Sequence, residues 1–454
     1  MRVCILRHAY FPDDPRERKQ VSALLQAGHE VEVVCLRRAG QRAFERVDGA
    51  RVHRLPLSHR RAGIARYLLE YGVSFALIGL TVTRLHLRQR FDVVQVSTMP
   101  DFLVFASLIP KLMGARVLLD LHEPTPELWL TKYGERQRFL YRLQRGLEQR
   151  AIAYADRAIT VTLALQQRFI ERGADAEKLG VVPNVSDDRV FAPAGPPDCN
   201  WGGELRLISH GAIEERYGHE LMIRAVARLR GEIPGIRLDI AGSGDAEESL
   251  RRLAAELGVS DRVAFLGFLD FDILLAKLRA AHIGIIAMRR SPYSELVDTN
   301  KMYEYISLKK PVVASRLPAL EANFDERALT YFEPGDADDL ARALRELYHA
   351  PGLAVARVEQ AHRVFQDMKW SISGQAYREL IESLGAPSGG ATAGAPSSDA
   401  KPMPQRWGAL QPPSRTRGDA GARSEGAGSA PDVAASGVAL RSHAIASCRA
   451  RQPK

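Results

Sequence analysis

Short apolar runs alternate with longer amphipathic stretches along the first part of the chain. The runs are rich in Val, Ile and Leu, while the stretches between them repeat apolar residues at helical spacing. This alternation predicts a parallel sheet with helices on both faces. The first helix is expected to end at Gly28, because glycine just past the last apolar turn is the usual C-cap. The predicted strands before residue 165 are "RVCIL", "VEVVCL", "DVVQVS", "RVLLDL" and "RAITVT".

A segment dense in Pro, Gly, Asn and Asp interrupts this alternation near residues 186–204, after which it restarts. The predicted strands of the second array are "LRLISHG", "IRLDIAG", "RVAFLG", "IGIIAM" and "PVVAS". We therefore predict an α/β protein with two Rossmann-like, doubly wound parallel-sheet domains that face a cleft. Their predicted bounds are 1–187 for the first domain, 188–204 for a linker, 205–350 for the second domain and 351–384 for closing helices.

The last residues, 385–454, differ in composition from the rest. They are mainly Ala, Gly, Pro, Ser and Arg, so they cannot bury enough apolar surface to offset the entropy of ordering. This predicts a disordered basic tail. It holds 9 Lys or Arg against 4 Asp or Glu, and so supplies +5 of the chain's formal charge of +9. The rest is only mildly basic and carries no nucleic-acid-binding motif, which argues against specific nucleic acid as a partner.

Cysteine spacing and the length of the apolar stretches indicate in which cellular compartment the protein is expected. The four cysteines are too scattered for a metal site or a disulfide framework, and the first residues lack the features of a signal peptide. The stretch "YGVSFALIGLTVT", residues 71–83, is shorter than the about 20 residues that a membrane span needs. We therefore expect a cytoplasmic protein.

Residues 51–90 leave two interpretations open. Arginine-rich sequence surrounds the apolar stretch, a pattern typical of helices that lie on anionic membrane surfaces. The protein would then be peripheral on the inner face of the cell membrane, with an anionic membrane surface as a partner. Alternatively, the arginines are solvated and the apolar side chains face the domain core, namely Leu68, Leu69, Phe75, Leu77 and Leu80.

Ligands of open α/β sheets bind beyond the carboxyl ends of the strands, where loops of the second domain should converge. The loop "HGAIEERYGHE" places Arg216 ahead of a helix that starts at Gly218, where a phosphate would meet a guanidinium and free N–H groups. An ion pair of Arg216 with Glu214 or Glu215 is the alternative. The loop "GSGDAEE" lacks the third glycine of a dinucleotide fingerprint and predicts a helix cap at Asp245.

A third loop leads into "DTNKMYEYISLKKPVVAS", residues 298–315. Asp298 or Thr299 can cap the helix, which leaves the N–H groups of Asn300 and Lys301 near an anion. Lys301 adds a mobile positive charge. Glu304 lies on the same helix face, where its carboxylate can accept hydrogen bonds from two ribose hydroxyls. A simple ion pair between Lys301 and Glu304 is the alternative.

In their order and spacing, these motifs resemble the family-4 (group 1) glycosyltransferases of the GT-B fold. The resemblance extends over about residues 1–384 and includes "GHEVEVV", "DLHEPTPE", "VVPNVSD", "LDIAGSGD", "RVAFLGFL" and "NKMYEYISLKKP". It implies a retaining glycosyltransferase that takes a sugar from a nucleoside-diphosphate sugar. The implied acceptor is a saccharide, such as a lipid-linked or surface-polysaccharide precursor. No metal or other cofactor is implied.

The resemblance also implies roles for individual residues. Glu304 matches the family's ribose-binding glutamate, and His122 in "DLHE" matches a histidine beside the donor sugar, which makes it the catalytic candidate. Backbone groups near Leu266 and Gly267 are expected to select the nucleotide base. Three residues match the loop whose backbone amides bind the donor phosphates: Thr299, Asn300 and Lys301.

The chain departs from the family pattern at two loops that touch the sugars. A first glutamate of the family falls on Leu296, so the adjacent Glu295 is the candidate for that contact. A glycine pair in the first loop is replaced by "FPDDPRERKQ", which makes Arg16 and Arg18 candidate acceptor contacts.

A third departure concerns the phosphates. The arginine and lysine that usually hold the diphosphate fall on Ala212 and Tyr217. Because a diphosphate in a metal-free site needs cations, Arg216 and Lys301 are the expected replacements.

Two rival functions remain open at this stage. A nucleotide-sugar 2-epimerase would share the fold and the ribose carboxylate, and a non-catalytic subunit of a glycosyltransferase complex would explain the missing basic residues. The acidic pair Asp270 and Asp272 is not interpreted as a metal site, because it follows "RVAFLGF" in the second array.

Overall fold

A computed structural model of the chain describes residues 1–57, 64–134 and 138–386. The strands of the first domain are β1 (Arg2–Arg7), β2 (Glu30–Leu36), β3 (Phe44–Val47), β4 (Ala50–Leu55), β5 (Val93–Ser97), β6 (Arg116–Leu121), β7 (Arg157–Thr160) and β8 (Leu179–Val181). They form one sheet in the order β3-β4-β2-β1-β5-β6-β7-β8. Strand β3 pairs antiparallel to β4, and the other neighbours pair in parallel.

All five strands predicted for this domain are present, and β3, β4 and β8 were not predicted. Strand β3 is a short, half-exposed edge strand with charged residues, so it has no apolar run. Strand β8 is only three residues long and contains a glycine. Pairing with a neighbour, rather than local composition, makes these segments strands.

The helices of the first domain are α1 (Pro15–Gln26), α2 (Ile64–Arg88), α3 (Leu108–Leu112), α4 (Thr125–Tyr133), α5 (Arg138–Tyr154) and α6 (Leu163–Glu171). Helix α1 begins after Asp14, whose carboxylate accepts the Arg16 backbone N–H at 2.8 Å. It ends before Gly28, which has a φ of 79°, so the predicted helix end is confirmed.

The second domain has a six-stranded parallel sheet in the order β11-β10-β9-β12-β13-β14. Its strands are β9 (Glu204–His210), β10 (Gly235–Ala241), β11 (Val263–Gly267), β12 (Ile283–Ile286), β13 (Val312–Ser315) and β14 (Thr330–Phe332). Five were predicted, and β14 is the addition. In both sheets the strand order reverses once, beside β1 and beside β9, which opens a crevice at the carboxyl edge.

The helices of the second domain are α7 (His219–Leu229), α8 (Glu247–Glu256), α9 (Phe271–Ala280), α10 (Asn300–Ser307), α11 (Pro318–Glu321) and α12 (Ala337–His349). Helix α8 has Ala246 as its N-cap residue, so the predicted cap, Asp245, lies one position before the observed one.

Two closing helices follow, α13 (Pro351–Gln366) and α14 (Trp370–Gly385). Helix α14 packs on α1 and on strands β5 and β6 of the first domain. The Tyr377 hydroxyl donates to Gln95 Oε1 at 2.6 Å, and His29 lies 3.0 Å from Glu382. The last helix therefore covers the first domain. The predicted tail lies outside the described residues from 387 onward.

The apolar stretch 71–83 forms the middle of α2. Within the described ranges, none of the helices combines the length and the hydropathy needed to cross a membrane.

Candidate functional site

Three loops of the second domain meet beyond the carboxyl ends of β9, β10 and β12. Gly218 has a φ of 61° and opens α7, and a β-carbon there would lie 2.0 Å from the Ala287 carbonyl oxygen. Gly242 packs equally closely, because a β-carbon would lie 1.8 Å from the Gly211 oxygen. Glycine at these positions lets the loops approach one another, as close backbone packing around a ligand requires.

Glu304, the predicted ribose ligand, is held by a histidine. Its Oε2 lies 2.6 Å from Nε2 of His210, the last residue of β9, while Nδ1 of His210 lies 3.0 Å from the Tyr305 hydroxyl. A carboxylate only accepts, so Nε2 carries the proton. Within the described residues Glu304 has no ion pair with Lys301, and its Oε1 has no hydrogen-bond partner. Glu304 is therefore oriented, with one oxygen left to accept.

His210 escaped sequence analysis, although it is a polar residue that ends an apolar strand. We expect His210→Ala to raise the KM for donor about tenfold and to change kcat less, because a hydrogen bond to a charged group contributes about 1.5–3 kcal/mol. His210→Gln, which keeps a donor, should recover part of the loss. Steady-state kinetics at varied donor concentration measure both effects.

His349→Ala is the matched control, since it removes another histidine–glutamate contact, 2.9 Å from Glu232 at the surface. A His210→Ala variant with the KM of that control would show that His210 does not position Glu304.

Arg216 and Lys301, the predicted replacement cations, contact the same tyrosine. The Lys301 ammonium lies 4.1 Å from the Tyr217 ring centroid, and the Arg216 guanidinium lies 5.0 Å from it. Arg216 also lies 5.3 Å from the Tyr293 ring and 3.0 Å from the Glu214 carboxylate. Burial lowers the pKa of Lys301 to about 8. Tyr217, the residue at the position of the expected lysine, thus packs against both cations.

The N-terminus of α10 has no side-chain cap. Thr299 occupies the N-cap position without a capping hydrogen bond, and the Asp298 carboxylate instead accepts from the Tyr303 hydroxyl. The predicted cap by either residue is therefore wrong. The uncapped N–H groups of the first turn suit an anion, and a small pocket beside them is lined in part by Tyr217, Thr299 and Lys301.

Glu295 lies apart from this pocket, whereas Gly267 adjoins the loop of Gly242. The Glu295 carboxylate is 42% exposed and lies 3.8 Å from Arg290, and it does not line the pocket by Lys301. The adjacent Leu296 is buried, and its carbonyl accepts from Thr162 of the first domain at 2.6 Å. Gly267 ends β11 with a φ of 68°, and its carbonyl accepts from the Gly242 N–H at 2.7 Å. Contacts of Glu295 with the sugar and of Gly267 with the base stay predictions.

His122 follows β6 at the carboxyl edge of the first sheet. Its Nδ1 is buried, with no hydrogen-bond partner in the described part of the chain. Burial, with a smaller contribution from the Arg7 guanidinium, lowers its pKa to about 4. The imidazole is therefore neutral at neutral pH, and its unpartnered nitrogen can bond a ligand hydroxyl.

Arg16 is buried inside the first domain and is 2% exposed. Its guanidinium donates to the two oxygens of Asp120 at 2.9 and 3.0 Å and to the Val182 carbonyl at 2.9 Å. The prediction that Arg16 contacts the acceptor is therefore wrong, because its guanidinium is buried and bonded to Asp120 and Val182. Arg18 is exposed and lies 3.2 Å from Asp48, and its acceptor contact stays a prediction.

Two further features of the first domain escaped sequence analysis. The Tyr293 hydroxyl of the second domain donates to Glu123 Oε2 at 2.8 Å, and burial raises the pKa of Glu123. Glu17 is fully buried, 3.6 Å from Arg7, and burial raises its pKa to about 7. Glu123 could have been identified from its position directly after His122. Glu17 could not, because it lies in a polar run typical of a solvated helix face.

No group of three or more His, Cys, Asp or Glu side chains suited to a metal ion occurs in the described ranges. A reaction without metal stays a prediction.

Two family descriptions match the chain in succession. "Glycosyl transferase 4-like domain" matches residues 16–185, and "Glycosyl transferases group 1" matches residues 204–350. The matches together include both domains.

Curated relatives are similar over part of their length. A GDP-mannose-dependent alpha-(1-6)-phosphatidylinositol monomannoside mannosyltransferase of Mycolicibacterium smegmatis is 28% identical over 240 residues, which are 50% of this chain and 62% of that protein. The lipopolysaccharide core biosynthesis glycosyltransferase LpsE of Rhizobium meliloti is 30% identical over 177 residues, 38% of this chain and 46% of LpsE. The chain thus spans less than two thirds of either relative.

Solved structures share the fold. Sucrose-phosphate synthase from Thermosynechococcus elongatus superposes with a TM-score of 0.66 at 19% identity, over 84% of this chain and 100% of that chain. HepE from Anabaena, in complex with UDP and glucose, gives a TM-score of 0.63 at 18% identity, again over 84% and 100%. These likenesses concern the two-domain architecture.

Proposed function

Because the chain belongs to the group 1 glycosyltransferases of the GT-B fold, we propose that it transfers a sugar from a nucleoside-diphosphate sugar to an acceptor hydroxyl, with retention at the anomeric carbon. The observation that carries the proposal is the convergence of Lys301, Arg216 and Glu304 at one edge of the second sheet, beside the uncapped start of α10. This edge offers cations and N–H groups for a diphosphate and a carboxylate oxygen for a ribose.

In the proposed reaction, the bond between the anomeric carbon and the phosphate oxygen breaks and a bond to the acceptor oxygen forms. The acceptor hydroxyl gives its proton to an oxygen of the departing nucleoside diphosphate, which leaves with the bonding electron pair. Negative charge grows on the leaving group, so Lys301, Arg216 and the α10 N-terminus stabilise the transition state more than the ground state. His122, neutral and with a free nitrogen, orients the donor sugar.

The names of the curated relatives support a lipid-linked or surface-polysaccharide precursor as acceptor. One acts on a phosphatidylinositol monomannoside, and the other belongs to lipopolysaccharide core biosynthesis. The Anabaena protein was solved with UDP and glucose, which supports a nucleotide-sugar donor.

A calorimetric titration with UDP, GDP and ADP, followed by product analysis with the matching sugars, tests the proposed function. We expect binding of at least one nucleoside diphosphate and sugar transfer to an added saccharide or lipid-linked acceptor. Conversion of the donor alone into an epimer would instead establish a 2-epimerase. If the protein bound none of the three nucleoside diphosphates, the result would favour a non-catalytic subunit of a glycosyltransferase complex.

Glu304→Ala should lower kcat/KM for donor at least about tenfold, because the hydrogen bonding of the ribose to a charged group is lost. Turnover at subsaturating donor measures this loss. Glu321→Ala, which removes a surface carboxylate 2.7 Å from Arg316, is the control and should leave turnover unchanged. Equal turnover of the two variants would contradict the ribose assignment.

A further inference from the structure

The outer surface of α2 and α3 is apolar where a helix facing water is normally polar. Six large apolar side chains there are between 40% and 74% exposed: Val73, Leu80, Leu87, Leu108, Ile109 and Leu112. The three on α2 are spaced by two helical turns and so share one face. Packing cannot explain this stripe, because the opposite face of α2 buries Ile78, Val82 and Leu85.

The two helices form one continuous surface, which we call the α2–α3 face. They pack against each other, and Gly79 of α2 fits closely on Ala106, two residues before α3, where a β-carbon added to Gly79 would lie 3.7 Å from that of Ala106. At the far end, Arg90 donates to the Met113 carbonyl at 3.0 Å and ties the end of α2 to the end of α3. The apolar side chains of both helices therefore lie on adjoining parts of the same surface.

The charges around the α2–α3 face are mostly positive. Arg84, Arg88 and Arg90, on α2 and just after it, are exposed, whereas Lys111 of α3 and the neighbouring Arg116 pair with Asp156 at 2.7 and 3.4 Å. Among the described residues from 70 to 116, the acidic side chains Glu70, Asp92 and Asp101 are half-buried or buried. An anionic surface that also accepts apolar side chains complements this arrangement, and a bilayer with anionic headgroups has both properties.

We propose that the α2–α3 face docks on an anionic lipid bilayer, with the leucines in the headgroup region and the arginines on the lipid phosphates. The surface differs from residues 51–90, for which the sequence left a membrane-bound and a core-facing interpretation open. Part of that segment, residues 58–63, lies outside the described residues, whereas α3 was not included. Of the apolar side chains named for the core interpretation, Phe75 and Leu77 pack partly against the core and Leu80 is 51% exposed, while the side chains of Leu68 and Leu69 are not among those described.

Docking by this face would hold the first domain at the surface where a lipid-linked acceptor is found. That link rests on the proposed function, but the docking itself does not. Vesicle binding is measured without donor or acceptor, so a failure of the transferase assignment leaves this test intact.

The test is co-sedimentation of the full chain with vesicles of phosphatidylcholine alone or with about a third phosphatidylglycerol. We expect binding to the anionic vesicles, and we expect Arg84→Glu/Arg88→Glu to weaken it at least about tenfold. Leu80→Gln/Leu87→Gln/Leu112→Gln should have a comparable effect, with unchanged thermal unfolding midpoints.

Matched controls are Arg224→Glu, an exposed arginine on α7, and Leu353→Gln, a partly exposed leucine on α13. All proteins keep the basic residues 387–454, so a difference between variants reports on the α2–α3 face alone. Wild-type protein that stays in the supernatant, or face variants that bind like the controls, would overturn the proposal. So would a dimer that dissociates in the leucine variant without any vesicle binding, since a second copy would then cover this face.

Discussion

Arg16→Met should destabilise the protein by about 3–5 kcal/mol, because it leaves the Asp120 carboxylate buried without its cation. Arg16 and Asp120 are both almost fully buried, and two hydrogen bonds join them. Arg16 donates a third hydrogen bond to the Val182 carbonyl, just beyond β8, so the side chain also links α1 to the edge of the sheet. Urea unfolding at neutral pH measures the change in the free energy of unfolding.

The effect of this substitution should depend on pH. Burial alone would raise the pKa of Asp120, but the Arg16 guanidinium and its hydrogen bonds lower it. The pair therefore stabilises the wild type above the usual aspartate pKa of about 3.9 and loses its effect as pH falls through the lowered value. In the variant a neutral Asp120 is less costly to bury. We expect the difference in stability between the two proteins to shrink as the pH approaches 4.

Arg18→Met is the control on the same helix. Arg18 is 63% exposed and pairs with Asp48 at the surface, so its loss should change stability by no more than about 0.5 kcal/mol. If Arg16→Met were as stable as this control and only raised the acceptor KM, Arg16 would be an acceptor ligand after all.

The misassignment of Arg16 shows where sequence reasoning ends. The run "PRERKQ" has the composition of a solvated helix turn, yet Arg16, Glu17, Lys19 and Gln20 are all buried. Their partners lie outside this run: Asp120 bonds Arg16 and Gln20, Arg7 lies 3.6 Å from Glu17, and the Lys19 ammonium lies 5.1 Å from the Trp370 ring of α14. Local pattern carries no information about such contacts between distant segments. By contrast, apolar runs predicted ten of the fourteen strands found in the described part of the chain, because a parallel strand covered on both faces must be apolar itself.

Sequence likewise predicted some residues of the candidate site and missed others. Lys301, Glu304 and His122 were recognisable because the motifs that contain them are contiguous in sequence. His210 and Glu304 are 94 positions apart, and Glu123 and Tyr293 are 170 apart, so only the fold brings these partners together. The structure also resolves an alternative that sequence left open, because Glu304 pairs with His210 and leaves Lys301 available to a ligand.

Lys301→Met should lower kcat about 10²–10³-fold, the loss typical of removing one group that stabilises a developing negative charge. Lys301 packs on Tyr217, and a β-carbon on Gly211 would lie 2.7 Å from Lys301 Cε, so the glycine leaves room for the side chain. The ammonium is thus held in a tight slot beside the α10 N-terminus. Single-turnover transfer at saturating donor measures the chemical step.

The pH profile separates a charge at the phosphates from a purely structural lysine. Burial lowers the pKa of Lys301 to about 8, so the ammonium is present below that pH and is lost above it. We therefore expect kcat/KM for donor, which reports on the free enzyme, to fall as pH rises through about 8 in the wild type. A bound diphosphate stabilises the charged form, so the fall in kcat should come at higher pH. Lys301→Met should lack both limbs, while Lys277→Met, which removes a surface lysine 3.3 Å from Asp239, should keep them. A Lys301→Met enzyme with the wild-type alkaline limb would mean that another group, and not Lys301, carries the charge on the leaving diphosphate.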